Sequence, residues 1–148
     1  MLTCAARIGR VLAGISVVAL GLSCGRSPVE SEEPWIYFRT NLFPGTDVAV
    51  AWATSATSLA VRASIPTPCR PYELAPSASR RGSDVTLRIE GHRHDGCTGV
   101  STAPITYEAE MGDLPTGTIR LRVVHTHREW PIAPVTVFSG EVTIPEWP

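Results

Sequence analysis

From residue 35 onwards the chain holds short runs in which apolar and polar residues alternate, and no run has the spacing of an amphipathic helix. Alternation with a period of two predicts strands that bury one face. One strand is predicted over 35–39, and a last strand is predicted from Val135 to Ile144, with a break at Ser139-Gly140. The apolar residues predicted to share an inward face in the other strands are Val48, Val50 and Trp52; Leu59, Val61, Ala63 and Ile65; Val85, Leu87 and Ile89; Ile105, Tyr107 and Ala109; and Ile119, Leu121 and Val123.

These patterns amount to about seven short strands, separated by turn residues such as Pro44-Gly45, Gly82 and Gly96. Short strands with Pro and Gly in their connections are typical of a two-sheet sandwich or a small barrel. We therefore predict an all-β fold in a single domain, residues 35–148, which is long enough to bury a sizeable core.

One connection resembles a known family. The segment from Met111 to Thr118, MGDLPTGT, lies between two alternating runs. Its Leu-Pro-x-Gly pattern, followed by an alternating strand, resembles the E-to-F connection of fibronectin type III and other immunoglobulin-like domains. The resemblance implies a single immunoglobulin-like β-sandwich of about seven antiparallel strands, with Leu114 closing one open end. Ile119 stands where fibronectin domains usually have Tyr, and the resemblance bears on architecture alone.

The first 24 residues have the composition of a targeting segment. Arg7 and Arg10 form a short basic start, and an uncharged, mostly apolar run from Val11 to Leu22 follows. This order predicts a secretory signal peptide over residues 1–23, a helix too short to span a bilayer. Residues beyond Cys24 are therefore expected to work outside the cytoplasm.

The end of this leader, Leu20 to Gly25 (LGLSCG), resembles the lipobox of bacterial lipoproteins, although Gly21 replaces the usual Leu. The resemblance implies that Cys24 carries acyl chains such as palmitate and becomes the new N-terminus. The protein would then be anchored by membrane lipid on the extracytoplasmic side of the cell envelope. Gly25, rather than Asp, implies the outer membrane. The alternative is cleavage by ordinary signal peptidase, without a lipid.

The cysteine count agrees with lipidation. Cys4 leaves with the leader, and Cys24, Cys69 and Cys97 then form an odd set for an oxidising compartment. Lipid on Cys24 leaves Cys69 and Cys97 to pair as a structural disulfide between two loop-like stretches, with a stabilisation of about 3–4 kcal/mol. Residues 24–34 are polar and rich in Glu and Pro, so we predict a disordered tether.

Charge excludes one class of partner. The chain has 13 Arg, no Lys and 14 acidic residues, and loss of the leader leaves 11 basic residues against the same 14 acidic ones. A nucleic-acid-binding domain of this size would show a basic stripe. We therefore predict no nucleic acid partner.

The four histidines form two pairs, His92-x-His94 and His125-x-His127. On a strand, residues i and i+2 point to the same face, so each pair presents two imidazoles side by side, as copper and zinc sites require. If the pairs met, they would form a metal site. The alternative places His92 and His94 in a polar turn and His127 in solvent at a strand end.

No motif predicts catalysis. A Gly-x-Ser-x-Gly elbow and a phosphate loop are absent from the sequence, and Glu108 and Glu110 are interpreted as the solvated face of a strand. Trp35, Trp130 and Trp147, which lie near Pro, either anchor a protein or glycan partner or cap the sandwich.

The sequence thus predicts a protein that is not an enzyme and needs no cofactor. Its function is predicted to be that of a lipid-anchored binding or structural domain of the cell envelope. The alternative is an extracytoplasmic copper- or zinc-binding domain.

Overall fold

The computed structural model describes residues 32–41, 48–98, 103–129 and 132–146. Within these ranges the chain is all-β, as predicted, and forms two four-stranded sheets. The first sheet has the order β1-β6-β3-β2, and the second has the order β4-β5-β7-β8. The strands are β1 (Ile36–Thr40), β2 (Val50–Ser55), β3 (Ser58–Ile65), β4 (Arg70–Arg81), β5 (Asp84–Thr98), β6 (Ile105–Met111), β7 (Gly117–His127) and β8 (Val135–Ile144).

The main core lies between the sheets and is built from the inward faces that alternation predicted in four strands. The inward residues of β3, β5, β6 and β7 are buried. Each fully buried aliphatic side chain contributes about 1.5–3 kcal/mol, so these faces supply most of the stabilising burial. Leu114 is also buried in this core, and its backbone N–H donates a 3.0 Å hydrogen bond to the carbonyl of Thr57.

The predicted inward face of β2 is wrong. Val50 and Trp52 are exposed, and Val48 just before the strand is exposed as well, while Ala51 and Ala53 pack against the core. The register explains the inversion, because Ala51 lies opposite Val61, and directly opposed residues of an antiparallel pair share one face. The neighbouring strand therefore decides which face of β2 is buried, against the greater hydrophobicity of the other face.

Strand β4, which contains Pro71 and Pro76, is not among the predicted strands. It is an edge strand, where a missing N–H is tolerated. The backbone N–H and carbonyl of Arg80 pair with Glu32 and so point away from β5. By alternation Pro76 lies in the same orientation, and its missing N–H therefore faces off the sheet edge.

The strand count and the pairing also differ from the expectation of about seven antiparallel strands. There are eight strands among the described residues, and β5 pairs with β7 in parallel, with Ile89 opposite His125. The reason is topological. Between β5 and β7 the chain crosses to the first sheet, forms β6 and returns, which permits a parallel neighbour that no hairpin can produce.

The disulfide between Cys69 and Cys97 is confirmed, with the two Cα atoms 5.5 Å apart. Its setting differs from the prediction, because Cys97 lies within β5 rather than in a loop, and Cys69 directly precedes β4. The bond packs with Ile65, Tyr72 and Ile105 in a second, smaller core cluster. We refer to this end of the fold as the disulfide end.

The chain enters the fold at the opposite end. Glu32 pairs with Arg80 near the far end of β4, through backbone hydrogen bonds of 3.1 and 2.8 Å and a side-chain ion pair. The predicted signal peptide and Cys24 lie outside the described residues, as does most of the predicted tether.

Candidate functional site

A cleft of about 350 Å³ opens between the edge strands β1 and β4 at the disulfide end. Apolar and hydrogen-bonding side chains share its walls, which is the usual composition of a ligand site. The lining residues are Phe38, Thr40, Asn41, Tyr72, Glu73, Leu74 and Ile105.

Tyr72 forms the inner wall of the cleft and reaches across β5 to His127 on β7. Its hydroxyl lies 2.5 Å from Nδ1 of His127. The path crosses Gly91, which is opposite Leu74 on one side and His127 on the other. A Cβ atom at Gly91 would lie 2.5 Å from Cε1 and from the hydroxyl oxygen of Tyr72. The absence of a side chain at Gly91 therefore makes the Tyr72–His127 contact possible.

A second tyrosine–histidine pair lies deeper, between the sheets. The hydroxyl of Tyr107 on β6 is 2.8 Å from Nε2 of His125 on β7, and both residues are buried. The Tyr107 ring also stacks on Phe38, with centroids 5.6 Å apart. Phe38 lines the cleft as Tyr72 does, so the rings form a continuous arch behind it. We call Tyr72, His127, His125, Tyr107 and Phe38 the Tyr–His arch.

The arch is electrically neutral at pH 7. Burial lowers the pKa of His125 to about 4, with a smaller contribution from the neighbouring His127, and burial also lowers the pKa of His127. Burial raises the pKa of Tyr72 to about 12, assisted by the negative charge of Glu129, and it raises the pKa of Tyr107. These groups therefore offer uncharged hydrogen-bonding atoms rather than groups poised for proton transfer near neutral pH.

The predicted histidine pairs do not share a site. His125 and His127 face inward, whereas His92 and His94 occupy the alternate positions of β5, on the outer side of the same sheet. His94 is exposed, and its Nε2 lies 3.9 Å from a carboxylate oxygen of Glu73. In the part of the chain that the structure describes, no group of three or more His, Cys, Asp or Glu side chains is placed to hold a metal ion. The sheet itself separates the two pairs.

Glu108 is not part of a solvated face. It is buried, and its carboxylate accepts hydrogen bonds from the guanidinium groups of Arg39 and Arg62, the latter at 2.5 Å. The Arg62 hydrogen bond, followed by that of Arg39, holds the pKa of Glu108 below its ordinary value. Each arginine also lies over an exposed ring, Arg39 over Tyr37 and Arg62 over Trp52. This row links β1, β6 and β3 on the outer face of the first sheet, because one carboxylate accepts hydrogen bonds from a guanidinium group on each side.

A shallow depression of about 380 Å³ lies on the outer face of the second sheet, beside Arg120 and Arg122. Arg120 is engaged with Asp84 at 2.7 Å, and Arg122 donates to the hydroxyl of Thr136. Its open walls are the exposed surfaces of three strands. The cleft is the better candidate site, because it lies between the edges of two sheets and buried polar groups lie behind it.

Tyr72, Tyr107 and Phe38 were not predicted as site residues. One signal was available. Tyr107 and His125 were both placed on inward faces, and a buried hydroxyl and a buried imidazole each need a partner. For Tyr72 there was no comparable signal, because its strand was not predicted. Of the tryptophans, Trp35 is half-exposed and packs over Gly112, while Trp130 and Trp147 lie outside the described residues.

No protein-family model matches the chain, and searches of curated proteins and of solved structures found no match. Among the described residues, no helix is long and apolar enough to span a membrane. The fold and the cleft thus define the class as a two-sheet, sandwich-like β-protein with one recessed candidate site.

Proposed function

We propose that this chain is a lipid-anchored protein of the bacterial cell envelope that binds a ligand non-catalytically in the cleft between β1 and β4. The observation that carries the binding proposal is the Tyr–His arch behind the cleft. It places two neutral tyrosine–histidine hydrogen bonds behind the apolar walls formed by Phe38, Leu74 and Ile105. Concave sites with a few fixed polar groups among apolar ones are the usual form of ligand sites.

The disulfide supports this proposal, because it rigidifies the wall that the ligand would touch. Tyr72 and Ile105 pack against the Cys69–Cys97 bond in one buried cluster. A site held by rigid elements loses less conformational entropy on binding. The stapled end is therefore better suited to binding than the edges of the sheets elsewhere.

The position of the proposed lipid anchor relative to the cleft also supports the binding proposal. The eight residue steps from Cys24 to Glu32 span at most about 28 Å when extended. Glu32 is fixed beside Arg80, while the cleft lies at the other end of β4, about 25 Å further along the strand. A lipid on Cys24 would therefore attach the domain by the end of β4 that is opposite the cleft.

We also propose an immunoglobulin-like type for the sandwich. Two facing sheets and the burial of Leu114 after the Leu-Pro-x-Gly segment support it. The parallel pairing of β5 with β7 departs from the antiparallel sheets of immunoglobulin domains, so the likeness is limited to the sandwich architecture.

Expression of the full chain with its own leader in a bacterium tests the anchor. We expect intact-mass spectrometry to show a chain that begins at a lipidated Cys24 and sediments with membranes. The Cys24→Ser variant should be unmodified and released from the membrane fraction. An intact Met1 on a species that stays in the cytosol would contradict the proposal.

Protein-observed NMR with a library of uncharged fragments, each carrying one ring and one hydrogen-bonding group, tests the cleft. We expect shift changes to cluster at Tyr72, Leu74 and Ile105. Leu74→Trp, which fills the cleft, should abolish them. Ala75→Trp is the matched control, because Ala75 is exposed on the opposite face of β4. Shift changes scattered over the surface, or unaffected by Leu74→Trp, would overturn the site.

A further inference from the structure

We infer that the ligand of this cleft is an extended peptide segment, which adds to the open edge of β1 as an extra strand. The inference rests on the proposed function and specifies its ligand. It starts from the backbone of β1, whose orientation can be read from hydrogen bonds at both ends of the strand.

The hydrogen bonds at the two ends of β1 fix the orientation of its backbone. The N–H of Asn41 donates to the carbonyl of Thr106 at 2.8 Å, and the N–H of Gly112 donates to the carbonyl of Trp35 at 3.1 Å. In an antiparallel pair the positions that bond to the partner alternate. The backbone groups of Ile36, Phe38 and Thr40 must therefore point away from β6, toward the free edge. Phe38 and Thr40 are also cleft residues, so their N–H and carbonyl groups border the cleft.

The opposite wall offers a shorter run of backbone groups. Tyr72 and Leu74 face the edge of β4 as Arg80 does, but Pro76 has no N–H at the next such position, and the edge groups of Arg80 are already bonded to Glu32. Proline on an edge is a common protection against unwanted strand addition. Strand β1 has no proline, and Ile36-Tyr37-Phe38 is apolar. Among the described residues, β1 thus has the longer unprotected edge at this cleft.

The position of β4 decides between a single peptide and a second copy of the chain. A strand added to β1 in the cleft would be covered by β4 on its other side. A lone extended segment fits such a slot, whereas an edge strand of an intact sheet would carry its neighbouring strands into β4. Strand addition by a free peptide is an established mode of recognition, in which backbone hydrogen bonds give affinity and pockets give specificity.

The side chains of the cleft define the chemistry of the peptide. Alternate residues of an added strand face the same side, so one side chain enters the pocket formed by Phe38, Leu74 and Ile105 and should be apolar. The inferred ligand is therefore an extended peptide with one buried apolar residue.

The test uses the full-length chain and a phage-displayed library of random linear heptapeptides. We expect enrichment of peptides that share an apolar residue. The best synthetic peptide is then methylated at one backbone nitrogen at a time. Methylation should weaken binding about fivefold to tenfold at alternate positions only, because only every second N–H faces β1. No enrichment, or losses that do not alternate, would overturn the inference.

A variant of the protein gives a second measurement. Thr40→Pro removes one edge N–H without touching the ladder to β6, and Thr40→Val is the matched control that retains it. Peptide affinity should fall about fivefold to tenfold in the first variant and stay within about twofold in the second. If Thr40→Pro does not fold, as judged by its melting curve, the methylation series still decides.

The outcomes separate the two proposals. If neutral fragments bind in the cleft but no peptide is enriched, the strand-addition inference fails and the binding cleft stands. If neither binds, both fail. If the free chain dimerises in sedimentation experiments and the dimer competes with the peptide, the edge serves a second copy and the inference is overturned.

Discussion

The hydroxyl oxygen of Tyr107 lies 2.8 Å from Nε2 of His125, and this hydrogen bond joins the two sheets through the middle of the fold. Tyr107 comes from β6 of the first sheet and His125 from β7 of the second. Both side chains are buried. If one of them were absent, the other would lose its solvating water on folding without gaining a hydrogen-bond partner. The pair therefore fixes how the sheets face each other and also forms the centre of the arch behind the cleft.

The burial of His125 predicts a loss of stability in mild acid. The unfolded chain takes up a proton near pH 6.5, whereas the folded chain resists it until about pH 4. The unfolded state therefore binds more protons between these values, and the free energy of unfolding should fall by about 3 kcal/mol as the pH drops through this window. His127 acts in the same direction, since its pKa is also lowered. Urea unfolding at pH 7, 6, 5 and 4 measures the effect.

A pair of variants assigns this pH dependence. His125→Gln should remove most of the pH dependence between pH 6.5 and 4 and leave the contribution of His127. His94→Gln is the matched control, since His94 is exposed, and its curve should follow that of the unmodified chain. Equal pH dependence in His125→Gln and the unmodified chain would contradict the assignment.

Gly91→Ala should destabilise the fold by about 1–3 kcal/mol, because the new methyl group overlaps the Tyr72 ring. The displaced ring would also lose its hydrogen bond to His127, so the NMR signals of Tyr72 and His127 should shift together. Gly140→Ala is the control. It makes the same change in β8, where the new Cβ would lie 3.4 Å from the ring of Phe138. Stability should therefore change by less than about 1 kcal/mol. Similar losses in both variants would remove the special role given to Gly91.

Replacing both disulfide cysteines, as Cys69→Ala with Cys97→Ala, should lower the free energy of unfolding by about 3–4 kcal/mol. The bond closes a sequence separation of 28 residues and packs against Tyr72, so both chain entropy and burial are lost. For a domain of this size the melting temperature should fall by about 10–20 °C. Calorimetry with and without reductant measures it, and a reduced chain that melts at the temperature of the oxidised one would refute the stabilising role.

Glu108→Gln should lower the free energy of unfolding at pH 7 by about 1–2 kcal/mol, because the charge that two guanidinium groups share is removed. The arginines are half-exposed and solvent screens them, which keeps the effect modest. The native carboxylate has a lowered pKa, so its contribution is present at neutral pH and is lost only as the pH falls below about 4.5. Chemical denaturation at pH 7 should show little change in the control Glu141→Gln, at an exposed position.

The sequence predicted some features of this protein correctly and others not. Alternation located the buried faces of β3, β5, β6 and β7, because these strands carry large apolar residues at every second position. It failed for β2, where alanines face the core, and for β4, where prolines are allowed by an edge that no sequence pattern reveals. The cysteine count gave the Cys69–Cys97 pairing, and the lipid on Cys24 stays a prediction.

By itself, the sequence determined that this chain is all-β, because alternation is a local property, and it predicted the Cys69–Cys97 disulfide from the cysteine count together with the expected loss of Cys4 and lipidation of Cys24. Only the tertiary structure decided the site. The two histidine pairs look equivalent in the sequence, yet they lie on opposite faces of the second sheet. His125 and His127 instead form hydrogen bonds with Tyr107 and Tyr72, which come from other strands. Which strands become neighbours depends on crossings between the sheets, and those long-range pairings bring the arch and strand β1 to the same cleft.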